Sequence, residues 1–368
     1  MKNLTYIYQK GRLDRLNNIE ESSKEFFYGF FNLKNKFNDY KVIEFHDEFK
    51  VNIFVYVNKL LRKLSGLPFF SEHLNSKKNN KIIKNSDLLI TTNQRVGFSV
   101  IFKIIKSKKI TSVVFIMGLY NQSVRNPIKK FFRNKFIYIF TFIFDKLIFL
   151  SFGEYEYAKQ KYPTFENKMY FLPFSTDTEF WDTNKKKNYE SSRKQILFVG
   201  NDGKRDYEFI LKLATETPDY DFVIITKKID NNIKLPKNVN LLNGKWDDLN
   251  LSDQDLRIIY EESHLTLIPL LDSLQPSGQS VALQSLSMGT PVIITRTKGF
   301  WEPDKFINNK HIIFLEKNEV NIWKQKINYL LSNKKSYFDL IDQGKDLILS
   351  NNTLEIFDKR LEQIIFES

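Results

Sequence analysis

The stretch QPSGQSVALQSLSMGTPVIITRTKGFW, residues 275–301, decides how this chain is read. It opens on Pro276, Ser277 and Gly278, residues that expose backbone and begin helices rather than fill them. From Gln279 onward the pattern turns helical. Val281, Leu283, Leu286 and Met288 form an apolar face, and Gln284 is left to point at a ligand one or two turns in. Gly289 closes the helix, Pro291 stops it, and Val292–Thr295 reads as the next strand. Just upstream, LTLIPLL (265–271) reads as a strand followed by the loop DSLQPSGQS. In an open parallel sheet, ligands bind beyond the carboxyl ends of the strands. A helix start at that place offers unsatisfied N–H groups and partial positive charge, which suits an anion. Gly278 removes a side chain where a phosphate must come close, and Ser277 and Ser280 add hydroxyls.

The pattern continues on both sides of this stretch. Upstream come QILFVGN (195–201) as a strand, RDYEFILKLATET as a helix, YDFVIITKK as a strand and DLRIIYEES as a helix; HIIFLEK and two helices follow downstream. The first half alternates in the same way. LTYIYQ, YKVIEF, SDLLITTN, TSVVFIMG and DKLIFLS read as strands. SSKEFFYGFFNLKNKF (22–37), FVYVNKLLRKLSG, GFSVIFKIIKSKK and residues 127–143 read as helices. Residues 182–195 carry no apolar period and read as a linker. The expected fold is therefore α/β, with two Rossmann-like domains of parallel sheet and flanking helices facing each other across a cleft.

Composition bounds the function. The chain has 368 residues, 42% hydrophobic and 27% charged, which is a globular balance sufficient for two domains. With no cysteine there is no disulfide, thiol nucleophile or Cys-ligated metal, and four scattered histidines make no ligand spacing. The net charge of +13 favours an anionic partner without choosing among nucleic acid, acidic lipid and a phosphorylated small molecule. No nucleic-acid module signature is present. The N-terminus does not read as a signal peptide, and the longest apolar run, FIYIFTFIF, is too short to span a bilayer. A cytoplasmic protein is expected, peripheral at most on the inner face of the cell membrane.

Several stretches in order resemble retaining GT-B glycosyltransferases of the family 4, or group 1, type. HLTLIPLLDSLQPSGQSVALQSLSMGTPVIIT is similar to the donor-site segment. ILFVGNDGKRDYEFILKLA resembles the opening strand, loop and helix of the family's C-terminal domain, and MYFLPFSTDTEFW the segment before the linker. The resemblance is good over about residues 145–300 and architectural upstream. It implies an acceptor-side domain (1–182), a nucleotide-sugar-binding domain (183–350) and a C-terminal helix (351–368) that crosses back. It also implies transfer of a sugar from a nucleotide donor to a glycan or lipid-linked hydroxyl, with no cofactor and no metal.

Carried over position by position, the resemblance places the family's ribose-holding Glu on Gln284 and its sugar-side Glu on Pro276, with Asp272 or Gln275 in the loop as substitutes. The phosphate-binding Arg falls on Asn201 after Gly200, and the companion cation on Lys204 or, preferably, Arg205. Arg205 and Asp272 are thus the catalytic candidates. Ser277, Gly278, Gln279 and Ser280 would hold phosphate, while Lys227, Lys245 and Trp246 would lie near the base. In the first half, Gly11 stands for the family's first glycine loop and is counted with the donor-binding residues, and Met117-Gly118 occupies the usual His position. Asn93, Arg95, Gly118 and Asn121 would line the acceptor-side wall, with His46 and His73 as further polar residues. Lys129, Lys130, Arg133 and Lys135, beside Phe131, Phe132 and Phe136, suit an acidic membrane surface. Two other readings use the same architecture: a sugar-nucleotide epimerase, which needs acid and base side chains around the sugar, and an inactive binding subunit, favoured by Pro276 and Met117.

Overall fold

The computed structural model describes residues 2–46, 53–107, 110–120, 124–183, 189–230, 232–244 and 251–366. The chain forms two compact units: Met1–Asn17 with Phe26–Pro173 and Asp358–Ser368, and Asn18–Glu25 with Phe174–Phe357. The sequence reading put its boundaries at 182/183 and 350/351. The second unit takes in, besides the expected stretch, residues 18–25, 174–182 and 351–357.

The first unit is built on a parallel sheet of β1 (Asn3–Tyr8), β2 (Asp39–Glu44), β3 (Leu88–Thr91), β4 (Thr111–Ile116), β5 (Lys146–Phe149) and β6 (Met169–Phe171), in the order β2-β1-β3-β4-β5-β6. Its helices are α1 (Arg12–Asn17), α2 (Phe30–Leu33), α3 (Ile53–Ser65), α4 (Lys77–Lys84), α5 (Gln94–Ile105), α6 (Pro127–Ile143) and α7 (Phe152–Lys161). β3 and β5 are buried at every position, as expected of strands covered on both faces. Val114, Ile116, Leu147 and Phe149 meet Phe98, Val100, Phe140 and Phe144 in the core. Helix starts follow local chemistry: Asn93, Asn126 and Ser151 each accept the N–H three residues on, and Pro127 sits where its missing N–H costs nothing.

The second unit repeats the plan with β7 (Gln195–Val199), β8 (Asp221–Ile225), β9 (Val239–Leu242), β10 (Leu265–Ile268), β11 (Val292–Thr295) and β12 (Ile313–Leu315), in the order β12-β11-β10-β7-β8-β9, all parallel. It carries α8 (Tyr207–Glu216), α9 (Asp253–Glu262), α10 (Gln279–Ser287), α11 (Val320–Ser332) and α12 (Lys334–Asn351). Ile196, Phe198, Leu265, Leu267 and Ile293 pack against Ile210, Leu213, Trp323, Ile327 and Leu340. The last helix, α13 (Leu354–Phe366), starts in this unit and from Asp358 belongs to the first.

One expected element is broken. Residues 22–37 do not form a helix but two 3-10 turns flanking the single turn of α2. Tyr28 and Gly29 both adopt positive φ (51° and 79°), which no right-handed helix tolerates. The hydroxyls of Tyr6 and Tyr8 donate to the carbonyls of Tyr28 and Phe27 and hold the break open. Gly29 is required there, because a Cβ would collide with Leu361.

Candidate functional site

In the second sheet, the chain leaves β7 toward β8 on one side and returns with β10 on the other, so the strand order reverses between β7 and β10. Loops at such a switch point diverge and leave room beyond the carboxyl ends of the two strands. The β7 loop carries Gly200 to Arg205 and the β10 loop carries Pro269 to Ser277, which are the two segments singled out from sequence. Backbone bonds stitch them together: Leu271 N–H donates to Lys204 O (2.8 Å) and Asp206 N–H to Pro269 O (3.0 Å).

Gly278 begins α10 in the left-handed conformation (φ 83°) and provides no side-chain cap. A Cβ there would stand 2.7 Å from Ile268 and 3.6 Å from Arg205 Nη1, so the helix start lies directly against the guanidinium. Arg205 is 5% exposed. Its Nε donates to Val199 O (3.2 Å) and its Nη1 pairs with Asp202 Oδ2 (3.0 Å). Gly200 lets this side chain fold back across the β7 loop, since a Cβ would be 2.5 Å from Arg205 Nε. The Ser277 hydroxyl is buried and has no hydrogen-bond partner among the described residues, an arrangement that costs stability unless something else supplies the bond. Gln279 is buried, whereas Ser280 and Pro276 are half-buried. A helix start and a fixed cation thus meet within one unit, with a buried serine hydroxyl one residue before the helix start, and donors of these kinds suit a phosphate group.

The remaining candidates in this unit serve other ends. Asn201 ties the carboxyl ends of three strands together: its Oδ1 accepts from Lys227 N–H (2.7 Å) and its Nδ2 donates to Gly244 O (2.7 Å). The side chains of Lys227 and Asp272 are exposed, and Asp272 Oδ1 accepts from Lys298 N–H (3.2 Å). Lys204 is half-buried, and its N–H donates to Asp202. Lys245 and Trp246 lie outside the described residues, as does Asn121 of the first unit.

Gln284, read as the ribose contact, has both ends of its amide bonded to protein. Its Oε1 accepts from Tyr260 Oη (3.3 Å) and its Nε2 donates to Glu25 Oε1 (2.8 Å). Sequence reasoning missed Glu25, and no local signal could have found it. The turn that carries it is fastened to this unit by Asp253, which accepts from Ser23 N–H and Oγ, and by Asp177, which accepts from Lys24 N–H. Glu25 is 2% exposed and also accepts from Trp181 Nε1 (2.8 Å), while its Oε2 has no partner among the described residues. Burial pushes its carboxyl up to about 7; the Gln284 bond pulls it down, and Asp177 and Asp253 raise it further.

In the first unit the strand order reverses between β1 and β3. Gly11 (φ 92°) makes the turn after β1, but the N–H groups of Arg12 and Leu13 that follow are taken by the Glu44 carboxylate. Asn93 caps α5, and Arg95 lies over the Phe70 ring at 4.2 Å. His46 and His73 bond each other through backbone and ring nitrogen. Gly118 (φ 88°) begins a loop whose N–H groups at Gly118 and Tyr120 both donate to Glu154. That carboxylate was also missed. It is buried, and burial raises it to about 7 against the lowering effect of those backbone bonds.

No protein-family model matches the sequence. No curated protein matches it either. Solved structures do match. A glycosyltransferase from Rickettsia africae aligns over 100% of both chains at 14% identity and a TM-score of 0.65. Sucrose-phosphate synthase from Thermosynechococcus elongatus aligns over 100% of this chain and 99% of that one, at 12% identity and a TM-score of 0.68. Anabaena HepE in complex with UDP-glucose aligns over 100% of both chains at 8% identity and a TM-score of 0.67. The fold is GT-B. Within the GT-B fold seen here, α10 and Arg205 mark the second unit, and the loops held by Glu44 and Glu154 mark the first.

Proposed function

We propose that this chain is a retaining glycosyltransferase. It would take a sugar from a nucleoside-diphosphate donor and pass it to a hydroxyl of a glycan or lipid-linked acceptor in surface-polysaccharide synthesis, at the inner face of the cell membrane. The observation that carries the reading is the meeting of Arg205 with the start of α10, which has no side-chain cap, at the β7/β10 switch point. The diphosphate would lie on the N–H groups of residues 279–281 with the guanidinium alongside.

In the reaction, the bond from the anomeric carbon to the diphosphate oxygen breaks, and the negative charge passes to the diphosphate. The acceptor oxygen bonds the same face of that carbon and gives up its proton to the departing phosphate. Arg205 and the helix start would stabilise the charge on the leaving group, which is where catalysis is needed when no protein nucleophile takes part. Gln284 supports the helix from behind through Glu25, and Asp272 remains the loop carboxylate for the sugar. UDP is the first nucleotide to try, because the similar Anabaena protein was crystallised with UDP and UDP-glucose.

Titration calorimetry with UDP, GDP, ADP and CMP tests the reading. Tight binding of one diphosphate supports it, and no heat with any of them sinks it. A second reading, nucleotide binding without transfer, draws support from the commitment of the Gln284 amide to Glu25 and Tyr260. Binding of a nucleotide sugar with no release of nucleoside diphosphate, with water or any acceptor, would favour that alternative.

A further inference from the structure

Helix α3 packs inward through Val55, Asn58 and Leu61 but leaves a run of large apolar side chains outside. Its buried positions are Val55, Asn58 and Ser65, while Ile53, Tyr56, Val57 and Leu60 are exposed, the last at 55%. The inward polar side has its own partners. Asn58 donates to Ser71 Oγ (2.8 Å) and to Glu72, and Arg62 pairs with Glu72 (3.0 Å). The helix is therefore anchored by both apolar and polar contacts, and the cluster of apolar side chains it still exposes is one that burial in water would not reward.

Beside that face, α3, α4 and α5 enclose a groove of about 910 Å³, walled by Val57, Ile83, Phe102 and Ile105. Lys84, Lys103 and Lys106 also line it, and no acidic residue does among the described residues. Lys103 is held below its usual range by burial and by Lys106. α6 packs against α3, and its exposed Tyr138 and Phe142 lie against Phe165. Of the basic residues read on α6, Arg133 is buried and donates to Leu119 O (3.0 Å), so it serves packing, while Lys130 and Lys135 are exposed. No described helix is long and apolar enough to cross a membrane.

From the exposed apolar side chains of α3, the apolar groove at its side and the lysines that line that groove, we infer that the first unit docks on an acidic lipid surface through α3. Val57 and Leu60 enter the acyl boundary, the groove receives an apolar chain, and Lys84 and Lys106 meet the phosphates. A second copy of this chain would match the apolar residues but not the lysines, because the same positive charge would face itself. This inference locates the membrane contact of the proposed enzyme, yet it stands on the first unit alone.

The test is co-sedimentation with vesicles of phosphatidylglycerol and phosphatidylcholine in equal parts, against phosphatidylcholine alone. The wild-type chain is expected to sediment with the acidic vesicles at about 0.1 M salt and to be released at about 0.5 M. Val57→Glu with Leu60→Glu should weaken this by about tenfold or more, and Lys84→Glu with Lys106→Glu should do likewise. UDP binding, followed on the same samples, should be unchanged, which separates failure here from failure of the donor site. Sedimentation unaffected by both pairs, or none with acidic vesicles, overturns the inference. So does a concentration-dependent dimer abolished by the Val57/Leu60 pair.

Discussion

Replacing Glu25 with Gln tests the buried network behind α10. Glu25 Oε1 accepts from Trp181 and Gln284, both of which a Gln carbonyl can still satisfy. What changes is ionisation. The folded carboxyl is raised from an ordinary 4.5 to about 7, first by burial. Between those values the folded chain holds a proton that the unfolded chain has released, so stability falls as pH rises through this window. Moving one carboxyl from 4.5 to about 7 corresponds to about 3 kcal/mol, fully expressed above about pH 7. Glu25→Gln removes that loss. It also places an amide NH2 where Oε2 has no partner among the described residues, a cost of about 1–3 kcal/mol that does not depend on pH. The decisive quantity is therefore the change in the variant's relative stability between about pH 5 and about pH 8. It should be about 2–3 kcal/mol in favour of the variant at the higher pH, part of the loss being already present at about pH 5. Glu154 and Asp358, also raised to about 7 by burial, tilt both proteins alike and drop out of the difference. Urea denaturation followed by tryptophan fluorescence at the two pH values gives the number. Equal relative stability at both, or a variant that loses ground at the higher pH, would refute the burial argument.

Arg205→Lys should weaken nucleoside diphosphate binding by about ten- to a hundredfold in calorimetry. A single ammonium cannot keep the Val199 and Asp202 contacts and still face a phosphate. Gly278→Ala should cost about 1–3 kcal/mol in denaturation and abolish nucleotide binding, because φ is 83° and the methyl would press on Ile268. Glu154→Gln sets an amide donor against the N–H of Gly118 or Tyr120 and should destabilise by about 1–3 kcal/mol at about pH 5, below the raised carboxyl value where ionisation enters little, read by denaturation. If that variant melts like the wild type, the 118–120 loop is not held by the carboxylate.

Wherever structure follows local pattern, it was legible. The continuous apolar runs of β3, β4, β7 and β10 mark strands buried on both faces, and the small residues before α10 mark a helix start at a strand's carboxyl end. The helix read across 22–37 failed because its phenylalanine period is real while its backbone is dictated by tyrosines on β1. Gln284 was read as pointing to a ligand because nothing near it in sequence competes; its partner Glu25 is 259 residues away. Glu154 was invisible for the same reason, since a carboxylate near a helix start resembles ordinary capping chemistry. Arg205 was favoured over its neighbours by resemblance alone. The structure adds the glycine that makes room for it and the helix start it faces.

Amide hydrogen exchange at residues 277–281, with and without saturating UDP, probes the phosphate grip at the atoms that would form it. Marked slowing at these amides and little change on α11 and α12 is the predicted result. UDP that binds elsewhere and leaves residues 277–281 exchanging as before would contradict it.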